Sequence, residues 1–197
     1  MTNCLIAGVG GQGTVLASKL IAAAAMKRGL EVRTTETIGM AQRGGSVVSH
    51  IRMGSEIYSP QIPLGKADVI IAFEPAEGAR LIPYLAPDGT MIVCDGAVQP
   101  VTSSLSGAGY DARAILGYLK NQVPDTAVIS AQAISRQCGS KMLNVALIGA
   151  ALCCGRFPFD PVDMEAVIRE KLSPRFVKPN LEALCLGQNI CGKGGKQ

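Results

Sequence analysis

A strand running straight into a glycine-rich turn and then a helix constrains this chain more than any other feature. Residues 3–7 read as a short buried strand, and Gly8-Val9-Gly10-Gly11-Gln12-Gly13 follows at once. Residues 14–28 then repeat apolar side chains on one helical face through Leu16, Leu20 and Ala24, and Gly29 stops the helix. Residues 31–37 are rich in β-branched side chains and read as a second strand. The opening is therefore a β-α-β unit, which implies a parallel, right-handed crossover.

The same alternation continues. Strands are expected at 46–53, 67–73, 90–94 and 126–131. Helices are expected near 76–85, 111–119, 141–154, 162–172 and 179–186. Pro87-Asp88-Gly89 reads as a turn, and 102–109, rich in Ser and Gly, as an exposed loop. In the 141–154 helix the small residues Ala146, Gly149 and Ala150 favour close packing. The expected fold is a doubly wound α/β domain. Its mostly parallel sheet has about six strands, with helices on both faces and a helical C-terminal section. Residues 1–190 form one domain, and 191–197, with Lys193-Gly194-Gly195-Lys196, read as a flexible tail.

Gly8, Gly10 and Gly13 match G-x-G-x-x-G between a strand and a helix. Glycines let the backbone turn tightly and approach a ligand. The helix N-terminus offers unpaired N–H groups to an anion. Glu36, near the end of the second strand, stands where a ribose-binding acid would be sought. Gly8, Gly10, Gly11, Gln12 and Gly13 are thus candidate binding residues. The turn equally suits a packing role, joining the first helix to the sheet.

Other chemistry is sparse. The one histidine, His50, sits within the third strand and shares a face with Val48 and Arg52. It suits either a hydrogen-bonded structural role or general acid–base work. The seven cysteines contain no C-x-x-C pair, so the spacing typical of iron–sulfur and zinc sites is missing. Nor is there a G-x-S-x-G elbow, a Walker loop or an H-E-x-x-H.

Composition removes further classes. Charged residues are 17% and the net charge is +4, with the basic residues scattered; Trp is absent and Phe plus Tyr number eight. Nucleic-acid binding needs massed cations or stacking aromatics and is not expected. The apolar run 143–154 is too short to span a bilayer, so no membrane association is expected. The start has no basic leader, and the scattered thiols suit a reducing cytoplasm. The low charge fits either a partner-covered surface or a large alanine-rich core.

Residues 35–46, Thr-Glu-Thr-Ile-Gly-Met-Ala-Gln-Arg-Gly-Gly-Ser, form a second unusual loop at the C-terminal end of the second strand. Open α/β sheets place ligand loops there. Gly39, Gly44 and Gly45 suit a sharply folded backbone, Gln42 can donate or accept, and Arg43 offers a forked cation for phosphate or carboxylate. An internal or interface ion pair suits Arg43 equally.

Both loops together, with Ser49-His50-Ile51-Arg52, Ala67-Asp68, Glu74-Pro75-Ala76-Glu77, Asn144 and Leu147-Ile148-Gly149-Ala150, resemble the gamma-type domain of the 2-oxoacid:ferredoxin oxidoreductases. The second loop is most similar to the indolepyruvate branch. The resemblance covers about residues 3–185; the joint pattern is specific where the first turn alone is not. It implies a heteromeric enzyme whose large subunit holds thiamine diphosphate and iron–sulfur clusters. That enzyme oxidatively decarboxylates an arylpyruvate with coenzyme A (CoA) and reduces ferredoxin. This chain would be non-catalytic alone. Gly8, Gly10–Gly13 and Gln42–Gly45 would shape the active site, contact CoA or the 2-oxoacid, or bind the large subunit. Two alternatives stay open: the gamma subunit of a pyruvate or branched-chain 2-oxoacid enzyme, and a free-standing dinucleotide-binding protein.

Overall fold

In the computed structural model, residues 1–39, 45–98 and 109–194 are described; the side chains of Ile38 and of 191–194 are not. Strand β1 (Thr2–Val9) buries Cys4, Leu5, Ile6 and Ala7 completely, because it has neighbours on both edges and covered faces on both sides. The sheet order is β2 (Glu31–Ile38), β3 (Ser46–Gly54), β1, β4 (Ala67–Ala72), β5 (Leu85–Cys94), β6 (Thr126–Ile129). The β1/β4, β4/β5 and β5/β6 pairs are parallel, whereas β3 is antiparallel to both β1 and β2. Only β3 therefore opposes the other strands.

The β-α-β opening is modified in one respect. β2 runs in the sense of β1, as expected, but β3 lies between them. β2 and β3 are arms of a hairpin, closed where Gly39 N–H donates to the Ser46 carbonyl at 2.9 Å. The returning arm takes the slot beside β1 because it can bury Val47, Ile51 and Met53 under the first helix. Its alternating burial shows one face in the core and one partly open.

Among the described residues there are seven α-helices: α1 (Thr14–Lys27), α2 (Pro75–Leu81), α3 (Ala112–Gln122), α4 (Ala131–Cys138), α5 (Leu143–Leu152), α6 (Pro161–Lys171) and α7 (Pro174–Gly194). α1 and α4–α7 cover one face over Ile6, Val69, Ile71, Phe73 and Ile92. α2 and α3 cover the other over Leu5, Ala7, Ile70, Met91 and Val93. The doubly wound α/β architecture with helices on both faces is the one expected. No helix of the described residues is long and apolar enough to cross a membrane.

Several boundaries differ from expectation. Pro87-Asp88-Gly89 is a bulge inside β5 rather than a turn before it, since Ala67 pairs with Leu85 and Val69 already with Thr90. α4 was not expected: it buries little besides Ile134, so its apolar signal is slight, and the Ser130 side chain caps it. α7 begins at Pro174, carries Pro179 inside and runs to Gly194, beyond both ends of the expected 179–186 helix and past residue 190. Its backbone lies directly on α5: a Cβ at Gly187 would fall 1.9 Å from the Ala146 carbonyl oxygen. Residues 102–108 of the expected 102–109 loop, and residues 195–197, lie outside the described residues.

Candidate functional site

β1 and β4 are parallel neighbours whose outgoing connections lead to opposite faces, β1 to α1 and β4 to α2. Such a switch point is where open α/β sheets bind ligands. Here the crevice is filled by Gln12. Its Oε1 accepts from Val9 N–H at 2.7 Å and its Nε2 donates to the Phe73 carbonyl at 3.3 Å. Gly8 must be glycine, since a Cβ would meet Gln12 Oε1 at 2.7 Å and Phe73 Cβ at 2.9 Å. Gly10 N–H donates to the Gly45 carbonyl at 2.9 Å, docking the second glycine loop onto the first.

These bonds consume groups that a dinucleotide would need. Glu36 is also displaced: β3 separates its strand from β1, and its carboxylate accepts from Ser18 Oγ at 2.9 Å. The free-standing dinucleotide-binding alternative therefore finds neither an open crevice nor a ribose acid beside it.

The second loop is anchored from below. Ser46 Oγ donates to Glu77 Oε2 at 2.5 Å, and Arg80 donates to Glu77 Oε1 at 2.9 Å. Glu77 N–H in turn donates to Glu74, which caps α2 and also accepts from the Tyr110 hydroxyl. Both carboxylates are buried, at 2% exposure for Glu74 and 6% for Glu77, and each has its partners. Burial, reinforced by the Glu74 carboxylate, pushes the Tyr110 phenol upward, so it remains a donor.

The structure thus brings Gly8, Gly10, Gly11, Gln12, Gly13 and Gly45 to one sheet edge. Gln42, Arg43 and Gly44 lie outside the described residues. His50 takes the structural role: its Nδ1 accepts from Ile62 N–H at 3.1 Å, its ring meets Tyr84 edge-on, and burial lowers its pKa. Burial pushes the Cys94 thiol up to about 11 and Cys4 higher still, so neither supplies a thiolate. Among the described residues no three His, Cys, Asp or Glu side chains form a metal-binding group, so this part of the chain does not fit an iron–sulfur cluster.

Residues outside the candidate binding set line the approach. A hollow of about 420 Å³ opens between the glycine turn and Ser140, Lys141, Leu143 and Asn144. Gly13, at φ +83°, leaves just enough room for Asn144, whose Nδ2 lies 2.8 Å from where a Cβ would be. No local pattern announces a contact between positions so far apart in the chain. Glu74, already singled out in the Glu74-Pro75-Ala76-Glu77 motif, caps α2, as an acid before a proline at a helix start does.

The family model "Pyruvate ferredoxin/flavodoxin oxidoreductase" matches residues 3–190. The chain is 39% identical to "Indolepyruvate oxidoreductase subunit IorB" of Archaeoglobus fulgidus, over 95% of this chain and 94% of that one. It is 37% identical to the protein of the same name in Pyrococcus horikoshii, over 94% and 93%. The "Pyruvate/ketoisovalerate oxidoreductases common subunit gamma" of Thermococcus kodakarensis is 26% identical over 89% of each chain. Among solved structures, the gamma subunit of a keto/oxoacid ferredoxin oxidoreductase from Geobacter sulfurreducens superposes with TM-score 0.70 at 17% identity, over 98% of this chain and 99% of that one. The 2-oxoglutarate:ferredoxin oxidoreductase of Magnetococcus marinus gives 0.71 at 19% identity, over 98% of this chain but 31% of the other.

Proposed function

The chain belongs to the pyruvate ferredoxin/flavodoxin oxidoreductase family, as a small subunit of a heteromeric 2-oxoacid:ferredoxin oxidoreductase, and from that membership we propose that it serves an indolepyruvate (arylpyruvate) enzyme. In this reading a large partner subunit holds thiamine diphosphate and iron–sulfur clusters, which supply the decarboxylation and electron-transfer chemistry. The 2-oxoacid loses CO2, its acyl group passes to the CoA thiol, and the electrons released go to ferredoxin in the cytoplasm.

The residues described here do no covalent work. The glycine-turn edge closes one wall of the active site and contacts CoA, with Gln42, Arg43, Gly44 and Gly45 on the second loop. The observation that carries this role is the docking of one glycine loop on the other through Gly10 N–H and the Gly45 carbonyl. A free-standing nucleotide binder would keep that N–H for phosphate. Higher identity to the indolepyruvate subunits than to the pyruvate/ketoisovalerate gamma subunit supports an aryl substrate.

The test is anaerobic purification of the tagged chain from its native host, followed by viologen reduction driven by indolepyruvate and CoA. A brown complex with a large partner and aryl-2-oxoacid-dependent reduction is expected. A colourless single chain without such activity overturns the proposal. Within the complex, Arg43→Gln should raise the KM for CoA or for the 2-oxoacid; two unchanged values would remove Arg43 from binding.

A further inference from the structure

α1 and α5 open on the same hollow beside Gly13. The α1 start has no side-chain cap and no acidic residue in its first turn, whereas at α5 the Leu143 N–H donates to the Ser140 carbonyl and the Val145 N–H to Asn144 Oδ1. The starts of α2, α3, α4 and α6, by contrast, are each capped by a side chain: Glu74, Asp111, Ser130 and Asp160. The first bond from within α1 to the turn is Ala17 N–H to the Gly13 carbonyl. The N–H groups of Thr14, Val15 and Leu16 therefore have no acceptor among the described residues, and the α1 dipole presents its positive end to the hollow.

A second, independent feature points the same way. Asn144 is 5% exposed, and its Oδ1 accepts from Val145 N–H at 2.9 Å. That bond fixes the amide's orientation and leaves Nδ2, beside Gly13, with no acceptor among the described residues. Lys141 also borders the hollow and makes no ion pair among the described residues, and no carboxylate is among the hollow's lining. The volume, about 420 Å³, suits a small-molecule group.

We propose that this hollow is an anion site for a phosphate ester or diphosphate, with the α1 amides, Asn144 Nδ2 and the Lys141 ammonium as its donors. Gln12, whose amide fills the switch-point crevice, also borders this hollow. Two sources share the chemistry: the phosphates of CoA, in which case the site deepens the reading above, and a free phosphate compound.

The test is calorimetric titration of the full-length chain with inorganic pyrophosphate at low salt. Saturable one-site binding is expected, weakened at least tenfold by Lys141→Gln and unchanged by Lys178→Gln, an exposed lysine on α7. No saturable binding, or equal loss in both variants, overturns the proposal. If Lys141→Gln fails to fold, Lys141→Met must show the same tenfold loss, and unchanged binding by a folded Lys141→Met overturns the site. Displacement of pyrophosphate by CoA but not by pantetheine assigns the site to CoA phosphates. Binding without such displacement assigns it to a free phosphate compound. The titration contains no 2-oxoacid and no partner, so its failure is distinct from failure of the indolepyruvate reading.

Discussion

A methyl group added at Gly149, in the middle of α5, would sit 2.2 Å from the carbonyl oxygen of Leu184 on α7. A carbon–oxygen contact needs about 3.3 Å, so the two helices would have to part by roughly 1 Å. The obstacle is backbone, which cannot rotate aside, and α5 is buried from Asn144 to Leu152. Alanine gains about 1 kcal/mol over glycine in a helix interior. Overpacking of this kind costs about 1–3 kcal/mol and sometimes more. With a full ångström to recover at a rigid contact the upper end applies, leaving a net loss of about 2 kcal/mol. For a chain of this length that lowers Tm by about 4–8 °C. Gly117, on the exposed side of α3, is the matched control, because nothing lies within 4 Å of its added Cβ. There Gly117→Ala should stabilise by about 1 kcal/mol and raise Tm by about 2–4 °C. Urea and thermal unfolding of both variants, followed by circular dichroism, read the two signs directly. A Gly149→Ala chain as stable as Gly117→Ala would refute the close crossing of α5 and α7.

Other outcomes follow from the site. Gly13→Ala places a Cβ against Asn144 and forces φ +83° on an L-residue, so it should cost about 1–3 kcal/mol in urea unfolding, more than Gly11→Ala, where space is open. Ser46→Ala removes a donor from the buried Glu77 carboxylate and should destabilise by about 1–3 kcal/mol by the same measure. His50 resists protonation in the fold, because burial lowers its pKa and protonated Nδ1 could not accept from Ile62. The unfolded chain takes the proton first, so stability is full above the ordinary value of 6.5 and falls as pH drops below it toward the lower folded value. Tm measured between pH 7.5 and 5 should show this component in the wild type and lose it in His50→Gln.

Much of the fold is local and was legible. The apolar run of β1 and the glycines that follow can do little but form a strand, a tight turn and a helix start, and the apolar stretches of β4 and β5 announce a buried parallel sheet. The candidate glycines were legible for the same reason: positive φ at Gly11 and Gly13 is a property of single residues. Helix ends were less so. α4 shows one buried side chain, and Pro179 hides the early start of α7.

What the amino-acid order determined alone was the repertoire of elements, the α/β class and the pair of glycine loops. Tertiary structure alone decided what those loops do. The insertion of β3 between β1 and β2 carries Glu36 away from the turn and into Ser18. The arrival of Gly45 on Gly10, of Gln12 in the crevice and of Asn144 beside Gly13 depends on contacts between distant segments. Backbone preference is a property of neighbours in sequence, whereas hydrogen-bond partners are chosen by which buried surfaces pack together, and only the folded chain makes that choice.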